Sequence, residues 1–231
     1  MNLTLAYSSV HRHLESWSGY KTLMEALNRF EDLQVFIAGG VIRNCLIESS
    51  LQPKDFDFFL QGTSVKPAVE LFAKNGQLDA TPYGAPRWHP ISNPKQYADL
   101  MSIDEFVPGL WKCEDIIDVL NQFDFTANAV AFDLRTGEAF DPQNGYRDAL
   151  RRTMKMVRFD YPEGPFILGA TLSRNAILWF RILHFACMLG FTIEPVTLEW
   201  LNKHRAFNHQ LEAFSRMFFR PKPGYLDPLN E

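Results

Sequence analysis

Two aspartates one residue apart, Asp55 and Asp57, stand in an otherwise apolar run, Asp55 to Leu60 (DFDFFL). This run constrains the chain more than any other feature. Its Phe-rich composition predicts a β-strand, and the period-two alternation of a strand sends both carboxylates to one face and Phe56 and Phe58 to the other. The rings then belong to a core and the carboxylates to an opening. Two carboxylates a few ångströms apart repel and raise each other's pKa unless a cation lies between them. Hard divalent ions take oxygen ligands, and Mg²⁺ combines protein carboxylates with substrate phosphates. The pair therefore reads as a metal clamp for phosphoryl or nucleotidyl transfer. Taken alone, it also fits an edge strand with solvated acids.

Upstream, Val35 to Ala38 is a short apolar run ended by Gly39-Gly40, and Val41 to Glu48 reads as a helix opening directly after the glycines. Backbone N–H groups at such a turn and the positive end of the helix suit a triphosphate. Glycine allows close approach because no Cβ intervenes. Arg43, in the first helical turn, has a guanidinium able to pair bidentately with a phosphate. A strand-Gly-Gly-helix unit is also an ordinary tight connection.

Around these motifs the pattern is mixed. Residues 1–33 read as mostly helical, with Tyr20 to Phe30 the clearer amphipathic piece. A loop containing Pro53 leads into the aspartate strand. Val65 to Lys74 reads as a helix, and Leu78 to Met101 as two or three strands around a Pro-rich loop. Cys113 to Asn121 is helical. Val130 to Asp133 and Glu138 to Phe140 form a hairpin closed at Arg135-Thr136-Gly137, Gly145 to Arg152 a short helix, and Thr153 to Val157 a strand. After Pro162-Glu163-Gly164-Pro165 come two or three helices. The expected division is an N-terminal helical segment (1–33), a mixed α/β unit (34–160) and a helical extension (161–231).

The 231 residues, 46% of them hydrophobic with 20 Phe, suffice for a large aromatic core. A net charge of -4 supplies no bulk attraction to nucleic acid, so any such contact needs a local basic patch. Cys45, Cys113 and Cys187 are too scattered for a disulfide framework or a zinc site. The N-terminus lacks a signal-peptide pattern. Ala176 to Ile193 is apolar but interrupted by Arg181 and His184, which favours a buried helix over a membrane span. A soluble, cytoplasmic protein without a membrane segment is expected.

FIAGGVIRNCL followed by PKDFDFFL resembles the head motif of tRNA nucleotidyltransferases (CCA-adding enzymes) and bacterial poly(A) polymerases, in which G-G-x-x-R-D precedes D-x-D on the next strand. The resemblance implies an α+β polymerase-β-like fold, followed here by a short helical domain, and two-metal nucleotidyl transfer from an NTP, ATP or CTP. It would make Gly39, Gly40 and Arg43 triphosphate ligands and Asp55 and Asp57 ligands of two Mg²⁺ ions, with Mn²⁺ as the alternative. Asn44 stands where the family has Asp, which removes a charge and keeps a hydrogen-bonding group. Tyr97-Ala98-Asp99-Leu100-Met101 resembles the strand carrying the third acidic residue, so Asp99 is the candidate, beside the reading of a surface aspartate. Phe123-Asp124-Phe125-Thr126-Ala127-Asn128-Ala129 resembles R-D-F-T-x-N-A, which lines the nucleotide site; Asp124, Thr126 and Asn128 are retained and the leading Arg is Phe123. Asp141 to Asp148 resembles a D-P-x-x-G-x-x-D turn, read here as mainly structural.

His184 to Phe191 resembles the family's R-F-A-A-x-L-G-F, with Arg181 matching an upstream Arg. The base-reading E-D-x-x-R, however, aligns with Arg174-Asn175-Ala176-Ile177-Leu178, and none of its defining residues survives. Lys203 to Lys222 interleaves Arg205, Arg216 and Arg220 with Phe207, Phe214, Phe218 and Phe219, which suits either RNA contact or an amphipathic helix with Phe inward. Arg147, Arg151, Arg152, Lys155 and Arg158 form a basic stretch behind the nucleotide motifs and are candidates for an RNA or tRNA acceptor. The expected reaction is transfer of an NMP to an acceptor hydroxyl, with an RNA or tRNA 3′ end first. Transfer to a protein or small molecule, as in toxin-like, antibiotic-modifying or virus-encoded relatives of the fold, is a rival reading, as is a non-catalytic nucleotide- or RNA-binding module.

Overall fold

The computed structural model describes residues 3–49, 53, 55–106, 111–165 and 171–230. Apart from Pro53 and Asp55, the loop leading into the aspartate strand lies outside them from residue 50 onward. The chain is α+β. Strands β1 (Gln34–Ala38), β2 (Asp55–Gln61), β3 (Gly76–Ala80), β4 (Pro86–Pro90), β5 (Tyr97–Ser102), β6 (Ala131–Asp133) and β7 (Ala139–Phe140) form one mixed sheet in the order β3-β4-β5-β2-β1-β6-β7. Within it β2 and β5 run parallel, and every other pairing is antiparallel. The return from β2 to β5 passes through helix α4 (Val65–Lys74) and the β3–β4 hairpin.

The alternation expected for the aspartate strand organises both faces of this sheet. Val35 and Ile37 of β1, Phe56, Phe58 and Leu60 of β2, Ala98 and Leu100 of β5 and Phe132 of β6 join one large core. On that side lie α1 (Leu3–Glu15), α2 (Tyr20–Arg29), α3 (Gly40–Leu46) and α4, and the same core continues into the C-terminal helices. Phe36, Ala38, Phe59 and Ala131 point the other way, into a smaller core closed by Ile116, Val119 and Leu120 of α5 (Ile116–Leu120). Asp55, Asp57 and Asp99 share this second face, and the smaller core does not extend over them.

Local chemistry sets the ends of the helices. Helix α5 is shorter than its pattern suggested, because Asp115 caps it by accepting from the Asp118 N–H, which starts the helix at residue 116. The helix α7 (Arg174–Leu189) is capped by Ser173, whose hydroxyl accepts from Ala176 N–H, and closed by Gly190 at φ 64°. Trp179, Phe180, Ile182 and Leu183 of α7 are fully buried, and no helix among the described residues is long and apolar enough to cross a membrane. Behind α7 follow α8 (Pro195–Lys203) and α9 (Leu211–Met217). The strand expected over Thr153 to Val157 contracts to β8 (Thr153–Met154), which pairs in parallel with the unforeseen β9 (Thr192–Ile193); Met156 instead bridges Phe125.

The D-P-x-x-G-x-x-D turn has a clear structural task. Asp141 accepts from the N–H groups of Gly145 (2.6 Å) and Tyr146 (3.2 Å), capping α6 (Gly145–Leu150). Asp148 accepts from the Thr126 hydroxyl at 2.6 Å. A Cβ on Gly145 would overlap the Thr126 carbonyl oxygen, a backbone atom that cannot step aside cheaply. Gly145→Ala should therefore destabilise the fold by about 2 kcal/mol or more, on the scale of other overpacking substitutions, measured as a lowered denaturation midpoint; an unchanged midpoint would show that α6 yields freely.

Candidate functional site

The parallel register of β2 on β5 sets Asp57 beside Asp99 and Asp55 beside Tyr97, while Ala38 at the end of β1 flanks Asp57 from the other side. Three carboxylates from two strands thus meet at the exit of β1. Asp57 is pushed up to about 8, first by burial and then by the charges of Asp99 and Asp55, with Arg181 and Arg87 offsetting part of the effect. Gly39 follows at φ +81°, and a Cβ there would lie 2.8 Å from Asp57 Oδ2. Glycine is needed at this position for both its conformation and its absent side chain.

Asp99 is already engaged. Arg87 donates to it through both guanidinium arms, Nε to Oδ1 at 2.7 Å and Nη2 to Oδ2 at 2.8 Å. The same guanidinium lies 4.2 Å from the centre of the Tyr97 ring, and the Tyr97 hydroxyl donates to Asp55 Oδ2 at 3.4 Å. Burial and the nearby Asp55 charge raise Tyr97 to about 12, so it remains a donor. As a donor set for a hard divalent cation, Asp55 and Asp57 fit: they are oxygen-only, and Mg²⁺ is commonly bound by one or two carboxylates completed by substrate phosphates. Among the described residues no group of three or more His, Cys, Asp or Glu side chains is disposed to hold a metal ion.

Behind the glycine turn lies a buried polar line. Arg43 is 4% exposed. Its Nη1 donates to Asn128 Oδ1 at 2.6 Å, and its Nε and Nη2 donate to Asn44 Oδ1 at 3.2 and 2.9 Å. Nη2 would lie 3.3 Å from a Cβ on Gly40, so the guanidinium abuts the turn. Burial lowers Arg43 to about 10, which leaves it charged at neutral pH. Asn128 in turn donates to Asp124 Oδ1 at 3.2 Å, and Asp124 Oδ2 receives Nε and Nη2 of Arg181 at 2.9 and 2.7 Å. Asp124, Thr126 and Asn128, placed in the nucleotide site by sequence, are buried and bonded to other protein groups.

The basic stretch is divided by its partners. Arg158 pairs with Asp160 through two 2.6 Å contacts and stacks 4.3 Å from the Trp111 ring. Arg152 donates to the Leu189 carbonyl at 3.3 Å, while Arg147, Arg151 and Lys155 are exposed. In the C-terminal segment Phe214 is fully buried against Phe180, at 4.7 Å between ring centres, with Arg216 and Arg220 outside. Arg174 rests over Tyr83 and Tyr161 at 5.4 and 5.3 Å, and Asn175 is buried, donating to the Tyr161 carbonyl. His184 accepts from the Lys222 N–H at 2.9 Å and is held neutral, at about 4, chiefly by burial. Sequence reasoning left Arg87 and Tyr97 out of the site; the signal for Arg87 was cross-strand register, which spacing alone does not carry.

Asp57 supplies a test of this electrostatic arrangement. Unfolded, it would lose its proton near the ordinary aspartate value of 3.8; folded, it keeps it to about 8. The folded state therefore binds more protons between these values, so the stability this proton contributes is full below the unfolded value and lost as pH rises through about 8. In EDTA, the melting temperature of the wild type should fall relative to that of Asp57→Asn between about pH 5 and about pH 8. A constant difference across that window would show that Asp57 is already ionised.

Comparison with known proteins finds relatives of the chain and of its fold. The chain is 27% identical over 185 residues to a multifunctional CCA protein of Haemophilus ducreyi, covering 75% of this chain and 40% of that protein. It is 42% identical over 74 residues to a multifunctional CCA protein of Xanthomonas oryzae, covering 32% of this chain and 16% of that one. Among solved structures, a Thermotoga maritima CCA-adding enzyme complexed with tRNA superposes with a TM-score of 0.66 at 17% identity, covering 96% of this chain and 54% of the enzyme. A tRNA nucleotidyltransferase complexed with a primer tRNA and an incoming ATP analog gives 0.62 at 20% identity, covering 89% and 58%. The fold is thus shared with CCA-adding enzymes, and the chain spans well under two thirds of their length. The model of the Gabija anti-defense 2 family protein (Gad2) matches residues 12–152, from the first helix through α6. With more than half of its residues in that match, this chain belongs to the Gad2 family.

Proposed function

We propose that this chain is a divalent-cation-dependent nucleotidyltransferase that moves an NMP from an NTP, ATP or CTP, to an acceptor hydroxyl and releases pyrophosphate. The observation that carries the reading is the juxtaposition of Asp55 and Asp57 with the Gly39-Gly40 turn at the open end of β1 and β2. The catalytic unit is assigned to 34–160, with 1–33 and 161–231 supporting it through the shared core. When bound, Mg²⁺ or Mn²⁺ would supply charge neutralisation between the carboxylates and the triphosphate. Asp55 and Asp57 would hold the cations, and Asp99, once free of Arg87, would complete the set and take the proton of the acceptor hydroxyl. The Gly39 and Gly40 backbone and the Arg43 charge behind it favour the negative β- and γ-phosphates. Asn128 and Asp124 keep Arg43 in place, and Thr126 anchors this turn to α6 through Asp148.

For the acceptor, likeness to CCA-adding enzymes supports an RNA or tRNA 3′ hydroxyl, approached past the exposed Arg147, Arg151 and Lys155. Arg152 and Arg158 would join them on giving up their present partners. A specific observation favours a second reading. Arg174 and Asn175 occupy the positions of the base-reading motif and are turned to internal partners, Gln122 and Tyr161. The family description names opposition to a defence called Gabija. A macromolecule of that defence is then the acceptor, and the intact carboxylates serve modification rather than CCA synthesis.

The test is transfer of label from each α-labelled NTP, with Mg²⁺, to tRNA, to total RNA or to extract of cells carrying the defence. Asp55→Ala and Asp57→Ala should each lower transfer by about a hundredfold or more, as removal of a group stabilising transition-state charge does, with folding unchanged by circular dichroism. Label on RNA would establish the first acceptor, and label on protein the second. Activity that survives either substitution would exclude this site.

A further inference from the structure

We propose that Arg87 is the resting occupant of Asp99, competing with a divalent cation for the third carboxylate, so that full cation loading requires the guanidinium to leave. The inference rests on the nucleotidyl-transfer reading above and adds to it a positioning residue that sets cation affinity. Its basis is geometric. Arg87 and Asp99 are directly opposite in the antiparallel β4–β5 ladder, so the pair is built into the register and needs no loop to form. Both carboxylate oxygens accept from the fork, at 2.7 and 2.8 Å. That bidentate geometry engages both of the Asp99 oxygens that a cation shared with Asp57 would draw on.

Charge and exposure point the same way. Among the described residues, Arg87 is the single cation ion-paired with any of the three carboxylates, since Arg181 is committed to Asp124. It therefore supplies positive charge where the three carboxylates converge. The side chains of Arg87 and Asp99 are 29% and 14% exposed, so the guanidinium has solvent to move into. Its stacking on Tyr97, whose hydroxyl reaches Asp55, gives it a second foothold beside the site after Asp99 is released. The guanidinium keeps a partly exposed edge, so the exchange of Arg87 for a cation at Asp99 does not need the sheet to open.

Titration of the protein with Mn²⁺, read by the electron paramagnetic resonance signal of the free ion, tests the proposal without reference to turnover. Arg87→Gln should bind Mn²⁺ about tenfold more tightly than the wild type, the factor that corresponds to losing a competing, partly exposed ion pair. Arg87→Lys, which keeps the charge but not the fork, should fall between them and serves if the Gln variant does not fold. Adding Asp99→Asn to Arg87→Gln should remove the gain. Wild-type binding that is lost in Asp55→Asn, Asp57→Asn but does not strengthen when Arg87 is replaced would overturn this proposal alone. Manganese binding absent from every protein, or undiminished in the Asp55→Asn, Asp57→Asn variant, would overturn the underlying site as well.

Discussion

The structure depends on one line of hydrogen bonds, buried at its centre, from Asn44 through Arg43, Asn128 and Asp124 to Arg181. It joins the glycine-turn helix, the turn after Phe125 and the long C-terminal helix. Each of these is packed by apolar contacts that specify distance poorly, whereas a chain of short polar contacts specifies orientation. Leaving a buried charge without its partner costs several kcal/mol, so the members of the line are held together or lost together. The helical extension is thereby fastened to the back of the site: Arg181 of α7 fixes Asp124, Asp124 fixes Asn128, and Asn128 aims Arg43 at the glycines.

The front of the site follows from unequal filling of the two sheet faces. The larger core takes helices from both ends of the chain. The smaller one, with α5, covers Phe36 and Phe59 and stops short of the carboxylates. The strand that buries Phe56 and Phe58, with ring planes 7° from parallel, must present Asp55 and Asp57 on the opposite side. Burial first, and then the repulsion this creates, raise Asp57. Bringing three carboxylates together is unfavourable in the absence of a counter-ion, and a fold that tolerates the arrangement does so by supplying Arg87 at its edge and Arg181 behind it.

How much of this was legible follows from the range of each signal. The face alternation of β2, the glycine turn and α4 are local, and periodicity placed them. The capping of α5 by Asp115 is local too, but Cys113 and Glu114 prolong the helical pattern and masked it. β8 was legible only as part of a longer strand, and the two-residue β9 carries no pattern of its own; Arg152 at φ 52° precedes β8 and Gly190 precedes β9 where the two pair. Asp99 could be nominated from its strand and the family likeness, yet its placement beside Asp57 is a parallel pairing across some 40 residues of chain. Phe123, found where the resembling family has Arg, packs 5.7 Å from Phe59 in the smaller core. That packing was invisible until the register of β2 was known.

The replacement of Asp by Asn at position 44 follows from the same electrostatics. Arg181 and Arg87 each pair with a carboxylate, so their charges are largely cancelled at short range. Arg43 has its N–H groups satisfied by Asn44 and Asn128, whose carbonyl oxygens accept hydrogen bonds without carrying charge. Its geometry is fixed and its positive charge is left uncancelled by its direct partners. An aspartate at 44 would hold the guanidinium as firmly while neutralising it. With neutral partners in a buried setting of low dielectric, the field of Arg43 extends to the glycine turn that it abuts. The site thus separates two duties of arginine: Arg181 and Arg87 balance carboxylates, and Arg43 keeps its charge beside the glycine turn without a carboxylate among its hydrogen-bond partners.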